Sequence, residues 1–217
     1  MNSYPWSGLL YPDLYVIKYF FKNGMDRSPG SVLELGCGNG NNLKLFRDFG
    51  WRSVGLDNSA EAIGDARSNF DTDDPSSIEF HQWDLNDGLP HLEEDFDVLL
   101  VPNSAYYIDR HALAKLLTEC RGVLREGASY MLSWRSTSDW RFGRGRQAGE
   151  NAFILETDVT GDMGAQMTFY EPEEMVALIE SQLGPIASSL VLSYDYQNLQ
   201  RGEVIDNHDF IIWGSIA

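Results

Sequence analysis

A glycine-rich turn and the carboxylates around it are the residues of this chain best suited to chemistry. Glu34 ends an apolar run and is followed by glycine at every second position from Gly36 to Gly40. Glycine allows a sharp reversal of the chain and a close approach of backbone to ligand, and the N–H groups that follow are free to bind a polar group. Asp57 and Asp84 each follow a further predicted strand. The pattern predicts a strand, a tight turn and a helix that bind a polar ligand.

The spacing of the glycines distinguishes between the ligands that such turns bind. A dinucleotide fingerprint needs its third glycine at position 41, where this chain has Asn41, and a phosphate-binding loop needs a Gly-Lys-Ser/Thr run that does not follow here. Asp57 can accept both hydroxyls of a ribose. An acidic residue followed by Gly-x-Gly-x-Gly resembles the turn of the class I, Rossmann-like S-adenosylmethionine-dependent methyltransferases. An ordinary structural turn of another α/β protein stays an alternative for this segment alone.

The resemblance to this family covers about residues 31–134, with four elements in the right order. It implies that Glu34 contacts the amino group of the methionine moiety, that Asp57 holds the ribose and that Asp84 holds the adenine amino group. Asn58 departs from the family pattern, because an aliphatic residue that packs on the adenine is common there. The implied cofactor is S-adenosylmethionine. The cofactor-binding residues carried over to this chain are Glu34, Gly36, Cys37, Gly38, Asp57, Asn58, Asp84, Leu85 and Asn103.

Strands and helices must alternate along the chain to place these residues at one edge of a sheet. Apolar runs bounded by Gly, Asp or Pro predict five strands with helices between them. The predicted strands are 31–35, 53–57, 78–82, 96–101 and 129–134, and the predicted helices are 41–49, 60–69 and 109–123. Such alternation predicts an α/β fold with a parallel sheet covered on both faces.

The segments before and after this alternation complete a single predicted domain, 1–217. An amphipathic helix at 12–23 predicts a cover helix within an N-terminal cap, 1–30. The rhythm breaks at 135–168, an insertion after the fifth strand that is predicted to act as a lid near the substrate. Short β-like pieces fall there at 153–157 and 167–170, and a helix follows at 173–183.

Two final strands are predicted at 187–196 and 210–216. Their connection, 197–209, is too short for the usual crossover helix and predicts an antiparallel pair. The family resemblance implies a seven-stranded, mostly parallel, doubly wound sheet whose antiparallel last strand lies beside the fifth.

The composition of the chain excludes several classes of function. With 33 acidic and 16 basic residues the formal net charge is -17, which repels nucleic-acid backbones and anionic lipid surfaces. No apolar run is long enough for a membrane span, and no basic region precedes an apolar core at the start. The two cysteines, Cys37 and Cys120, have no neighbours at metal-ligand spacing. We therefore expect a reduced, cytoplasmic protein without a metal site, a nucleic-acid partner or a membrane insertion.

An arginine cluster in the insertion is one candidate for binding the substrate. Arg135, Arg141, Arg144 and Arg146 are gathered in an otherwise acidic chain. Because arginine binds carboxylate and phosphate in a bidentate manner, the cluster favours an anionic small substrate, with Arg141 and Arg144 as the binding candidates. The alternative is a solvated loop that pairs with the acidic surface.

Aromatic side chains and one histidine are the other candidates near the predicted substrate site. Tyr11, Tyr15 and Tyr170 are candidates for lining an organic, aromatic acceptor. Catalytic assistance by a base has three weak candidates, His111, Tyr106 and Tyr107. Packing in the core is the alternative for each of them.

Together these observations predict a methyltransferase that moves a methyl group from S-adenosylmethionine to an oxygen or nitrogen of a small molecule. A methyl group on a sulfonium is already activated, so alignment and exclusion of water can suffice without a dedicated base. A nicotinamide-dependent oxidoreductase on a related fold is one alternative. A non-catalytic module that keeps the cofactor pocket for interaction or regulation is another. No signature identifies the acceptor or the oligomeric state.

Overall fold

The computed structural model describes residues 6–71, 74, 76–92 and 95–217 and has the predicted α/β architecture. Its described helices are α1 (Leu14–Lys22), α2 (Asn41–Asp48), α3 (Ala60–Asn69), α4 (Arg110–Arg121) and α5 (Pro172–Leu183). Its described strands are β1 (Ser31–Leu35), β2 (Arg52–Asp57), β3 (Ile78–Gln82), β4 (Phe96–Val101), β5 (Leu124–Arg135), β6 (Gly145–Gly149), β7 (Ala152–Leu155), β8 (Gln166–Thr168), β9 (Ile186–Gln200) and β10 (Glu203–Ile216).

Seven of these strands form one sheet in the order β3, β2, β1, β4, β5, β10 and β9. The strands from β3 to β5 pair in parallel, and β10 is antiparallel to both β5 and β9. This order confirms the sheet that the family resemblance implies, with the last strand beside the fifth. The chain order reverses between β1 and β4, and ligands of open α/β sheets bind at the carboxyl ends of strands at such a point.

Helices bury an apolar core on each face of the sheet. Along β1, Val32 contributes to the core on the side of α1, α2 and α3, whereas Leu33 and Leu35 contribute to the core on the side of α4 and α5. This alternation follows from the two-residue period of a strand. Helix α1 buries Val16, Tyr19 and Phe20 against its core and so acts as the predicted cover helix. Residues 1–5 of the predicted cap lie outside the described residues.

The hairpin of β9 and β10 is longer than the sequence predicts. Its ladder runs from the pair of Gln200 and Glu203 to the pair of Ile186 and Ile216, with one register shift between Ser215 and Ile216, so 197–209 is mostly strand instead of a connection. A tight turn at Arg201 and Gly202, both with positive φ, joins the two strands. Polar side chains on this exposed hairpin hide the strand pattern, because little of it is buried. The prediction of an antiparallel pair is confirmed.

The insertion folds into a second, three-stranded sheet in the order β6, β7 and β8. Its buried residues Leu155 and Met167 join the core on the side of α4 and α5. Strand β6 has no apolar pattern and was not predicted, because it is almost entirely exposed. Within the described ranges, no helix combines the length and the hydropathy needed to cross a membrane.

Candidate functional site

A cavity of about 470 Å³ lies at the carboxyl edge of the sheet, within the size range of small-molecule sites. Seven of its lining residues were singled out from the sequence, namely Gly36, Asp57, Asn58, Asp84, Leu85, Asn103 and Tyr107. Five others, Asn86, Ser104, Ile108, Ala165 and Gln166, were not. The last two come from the insertion, which therefore forms part of the wall.

The glycine turn between β1 and α2 has a backbone that other residues would strain. Gly36, Gly38 and Gly40 have φ values of 76°, 53° and 82°, in the left-handed region that favours glycine. A Cβ on Gly36 would clash with the side chain of Ser104, whose hydroxyl donates to the Leu35 carbonyl at 2.7 Å. A Cβ on Gly38 would instead meet open space. The turn therefore packs tightly at its first glycine and leaves room for a ligand at its second.

Glu34 is a fully buried carboxylate behind this turn. Its Oε1 accepts a hydrogen bond from Asn42 Nδ2 at 2.7 Å, whereas Oε2 is buried without a partner among the described residues. Burial raises the pKa of Glu34 to about 8; the Asn42 hydrogen bond opposes this rise, and Asp57 and Asp13 add to it. An unpartnered buried carboxylate oxygen is costly, and a cationic ligand would satisfy it.

Asp57 at the end of β2 braces the turn and faces the cavity. Its Oδ2 accepts from the Gly38 N–H and its Oδ1 from the Ser59 N–H, both at 2.9 Å. Since a carboxylate has about four acceptor positions, two backbone bonds leave capacity for ligand hydroxyls. Asp84 and the buried Leu85 form the neighbouring wall, and Asp84 Oδ1 accepts from the Asn86 N–H at 2.9 Å.

Asparagines that follow the glycines tie the N-terminal segment over the turn. The side-chain amide of Asn39 donates to the carbonyls of Ser7 and Leu9, and that of Asn41 donates to the Tyr11 carbonyl at 2.9 Å. The segment that leads into α1 thus covers the turn.

Asn103, directly after β4, completes this edge of the sheet. It has a φ of 54°, which is uncommon for a residue other than glycine and is often found at functional sites. Its N–H donates to Ser133 Oγ at 2.7 Å, and its side-chain amide donates to Asp13 Oδ2 at 3.3 Å. Asn103 therefore links β4, β5 and the start of α1 at the cavity.

The structure does not bring Arg141 or Arg144 to the cavity lining. Arg141 is 3% exposed, and its guanidinium pairs with Asp139 at 3.0 Å and Asp162 at 3.1 Å. Arg144 stacks on Trp140, 3.8 Å from the ring centroid, and donates to the carbonyl of the same residue. Both side chains hold the insertion together, and neither is among the residues that line the cavity.

The predicted substrate-binding tyrosines lie outside the cavity lining. Tyr11 is 79% exposed, and Tyr15 packs on Tyr194 with ring centroids 4.5 Å apart. Tyr170 is buried under the guanidinium of Arg110, 4.3 Å from its ring centroid.

The catalytic candidates occupy three different environments. The Tyr107 hydroxyl donates to Asp162 Oδ1 at 2.7 Å, and burial raises its pKa to about 12. Tyr106 is buried behind it, and burial also raises the pKa of Tyr106. His111 is exposed in the first turn of α4 and does not line the cavity. The raised pKa values favour the protonated form of both phenols at neutral pH.

Cys37 lies within the turn but faces the core. It is 2% exposed, its sulfur lies against Gly55, and burial raises the pKa of its thiol well above the ordinary value. Its side chain is therefore an inert packing group. Within the part of the chain that the structure describes, no group of three or more His, Cys, Asp or Glu side chains is placed to hold a metal ion.

A depression of about 540 Å³ lies at the opposite, amino edge of the sheet. Its carboxylate Asp97 is already engaged, by Arg125 at 2.8 Å and by the Ser31 N–H at 2.8 Å. The cavity of about 470 Å³, by contrast, lies where the chain order of the strands reverses between β1 and β4, and the unpartnered Glu34 oxygen lies behind its glycine turn. We therefore assign the functional site to the smaller cavity.

Comparison with known proteins identifies the family. Residues 32–127 match the methyltransferase-domain family. The matched segment is therefore a methyltransferase domain, and the chain has the fold of the class I S-adenosylmethionine-dependent methyltransferases. One curated relative of the chain is the Aspergillus luteorubrus protein named "Probable methyltransferase ltbC", with 29% identity over 119 residues, which are 51% of this chain and 41% of that protein.

A second relative of the chain is the trans-aconitate 2-methyltransferase of Acidovorax sp. strain JS42. It is 28% identical over 155 residues, which are 64% of this chain and 57% of the relative. The chain thus spans about half the length of the curated relatives it matches. A solved SAM-dependent methyltransferase from Methanosarcina mazei has the same fold, with a TM-score of 0.68 and 18% identity over 96% of this chain and 100% of that one.

The residues at this cavity fit S-adenosylmethionine, the cofactor of class I methyltransferases. The unpartnered Glu34 oxygen suits the donor's ammonium group, and the open space at Gly38 suits the approach of its methionine part. Asp57 retains acceptor capacity for ribose hydroxyls, and Asp84 with Leu85 offers one polar and one apolar wall for adenine. Asn58 is exposed and its carbonyl accepts from Gln82, so the apolar contact falls to Leu85.

Among the site residues that sequence reasoning missed, Ser104 and Asn42 act on the glycine turn. Ser104 sets the close packing at Gly36, and Asn42 orients Glu34. The position of Asn42 early in a helix that follows a glycine turn is a signal for a polar contact with the turn, but its partner depends on the fold.

Proposed function

We propose that this chain transfers a methyl group from S-adenosylmethionine to an oxygen or nitrogen of a small molecule. The observation that carries the proposal is the buried, unpartnered Glu34 oxygen behind a glycine turn whose cavity is also lined by Asp57. Bound S-adenosylmethionine would supply an activated methyl group. The protein would bind and orient both reactants and exclude water.

A small acceptor is supported by the size and surroundings of the site. The cavity has about 470 Å³ and is closed on one side by Ala165 and Gln166 of the insertion. Two curated relatives are named for trans-aconitate, which is a small organic acid. Because neither Tyr106 nor Tyr107 is expected to be deprotonated at neutral pH, the oxygen or nitrogen of the acceptor would attack the methyl group without a tyrosine base. Tyr107 would contribute its ring and phenol oxygen as part of the wall.

The non-catalytic module is the alternative that needs an experiment. S-adenosylhomocysteine release would be measured for the wild-type chain with panels of small acids, alcohols and amines that include trans-aconitate. We expect turnover with at least one small acceptor, and none with DNA, RNA or protein substrates. Tight cofactor binding without turnover across all panels would instead support the module.

The nicotinamide alternative is tested with the same protein. S-adenosylhomocysteine should raise the melting temperature by mass action, whereas NADH at the same concentration should leave it unchanged. The opposite ranking would contradict the assigned cofactor. We also propose a reduced, cytoplasmic setting, which the two free and buried cysteines, Cys37 and Cys120, support.

A further inference from the structure

Arg135, the last residue of β5, is a buried cation with poor hydrogen-bond partners. Its side chain is 11% exposed. Nη1 lies 3.4 Å from the thioether sulfur of Met167, a weak acceptor, and Nε makes no hydrogen bond to any described residue. Asp209 Oδ1 lies 3.5 Å from Nε and also has no hydrogen-bond partner in the described ranges. Buried polar groups are normally satisfied, so this pair calls for an explanation.

Arg141 shows what a purely structural arginine looks like in the same region. Its Nη1 donates to Asp139 at 3.0 Å and to Asn207 at 3.2 Å, and its Nε donates to Asp162 at 3.1 Å. Two carboxylates of the insertion and Asn207 of β10 therefore bind this buried guanidinium. Arg135 does not have such partners, although the carboxylates of Asp139, Asp162 and Asp209 lie in the same region of the protein.

Arg135 lies directly behind the wall of the cavity. Its guanidinium stacks on Tyr106, 4.2 Å from the ring centroid, and that ring packs against Tyr107 of the cavity lining at 4.6 Å. Met167 follows Gln166, another lining residue. Ser133, two residues before Arg135 on the same face of β5, holds the N–H of Asn103. Met167 itself is fully buried, so a link between Arg135 and the cavity requires its flexible side chain to move aside.

The surroundings of Arg135 favour a singly charged, planar group as its partner. A carboxylate matches the guanidinium fork in a bidentate manner. A phosphate dianion would be repelled by Asp209 and by the acidic residues around Arg141. Burial raises the pKa of Asp209, against the effect of Arg135.

We propose that Arg135 binds a carboxylate of the methyl acceptor, which takes the place of the Met167 thioether. This proposal rests on the proposed function, because it names the substrate class of the same site. The carboxylate would anchor the acceptor at the carboxyl end of β5, while another part of the acceptor reaches the cavity lined by Asn103. Arg135 would then determine specificity without acting on the reacting atoms.

Calorimetry with matched acids and amides tests this proposal. Phenylacetate, glutarate and citrate, each paired with its primary amide, would be titrated into the protein with and without S-adenosylhomocysteine. We expect at least one acid to bind, with its amide weaker by roughly 10- to 100-fold, the usual effect of losing a hydrogen bond to a charged group. Arg135→Lys should weaken that acid by a similar factor and leave the amide and S-adenosylhomocysteine unchanged.

Arg144→Gln is the matched control, because it removes an arginine of the insertion that stacks on Trp140 away from the cavity. It should bind the acid as the wild type does. Unchanged S-adenosylhomocysteine affinity in Arg135→Lys shows that the variant is folded. The affinity for the acid is also measured in Met167→Leu, which removes the thioether and keeps Arg135.

Equal binding of acid and amide, or no binding of any acid at millimolar concentration, overturns the proposal. So does an Arg135→Lys variant that binds the acid as tightly as the wild type. Failure of S-adenosylhomocysteine to bind would count against the proposed function alone, since the acids are also titrated into the ligand-free protein.

Discussion

Glu34→Gln should stabilise the ligand-free protein at alkaline pH and abolish its response to the cofactor. In the folded chain the pKa of Glu34 is raised from 4.5 to about 8, chiefly by burial. Between these values the unfolded chain loses its proton while the folded chain keeps it, so the free energy of unfolding falls as pH rises. Below pH 4.5 both states are protonated and no penalty exists.

The size of this penalty follows from the displacement of the pKa. About 3.5 pH units at about 1.36 kcal/mol per unit give at most about 5 kcal/mol above pH 8. Glutamine carries no charge, and its carbonyl can keep the hydrogen bond that Glu34 Oε1 accepts from Asn42. The advantage of Glu34→Gln over the wild type should therefore grow from pH 5 to 8 and then level off.

Urea denaturation of the ligand-free proteins at half-unit pH steps measures this difference. Glu61→Gln, which changes an exposed carboxylate of α3, serves as the control and should follow the wild type. Calorimetry in two buffers adds a second reading, because binding of the donor's ammonium at pH 7 should release about one proton in the wild type and none in Glu34→Gln. Parallel stability curves for Glu34→Gln and the wild type would refute the reasoning.

Two further predictions concern the glycine turn and the tyrosine of the cavity wall. Gly36→Ala should lower the free energy of unfolding by more than Gly38→Ala. Both positions have a positive φ, which costs an alanine about 1 to 2 kcal/mol of backbone strain, but only a Cβ at position 36 would clash with Ser104. Equal losses in urea denaturation would contradict this. Tyr107→Phe should lose about 1 kcal/mol with its hydrogen bond to Asp162. Because the pKa of Tyr107 is about 12, the pH–rate profiles of variant and wild type should run parallel between pH 7 and 9. A break in the wild type alone would show that Tyr107 acts as a base.

The part of the fold that holds the cofactor could be predicted because its signals are local. The glycines at 36 and 38 are needed for the backbone of the turn itself, and Asp57 follows β2 wherever that strand pairs. These residues therefore identify the cavity without knowledge of distant contacts. The sheet order came only from the family resemblance, because periodicity does not determine which strands are neighbours.

The substrate side of the site could not be predicted in this way. Arg135, Arg141 and Arg144 are alike in sequence, and only the fold decides that Asp139 and Asp162 satisfy Arg141 while Arg135 has a thioether as its partner. The unpartnered oxygen of Glu34 is likewise invisible in sequence, since it depends on the position of Asn42. Strand β9 lacks the buried face that makes a strand recognisable.

The central claim is that the cavity beside Gly36 and Asp57 binds the methyl donor, and calorimetry with S-adenosylhomocysteine tests it most directly. Asp57→Ala should abolish measurable binding, and Asp57→Asn, which can keep the hydrogen bond from the Ser59 N–H, should weaken it strongly. Asp48→Ala, which removes an exposed carboxylate of α2 paired with Lys44, should bind as the wild type does. Wild-type affinity in a folded Asp57→Ala variant would contradict the assigned site.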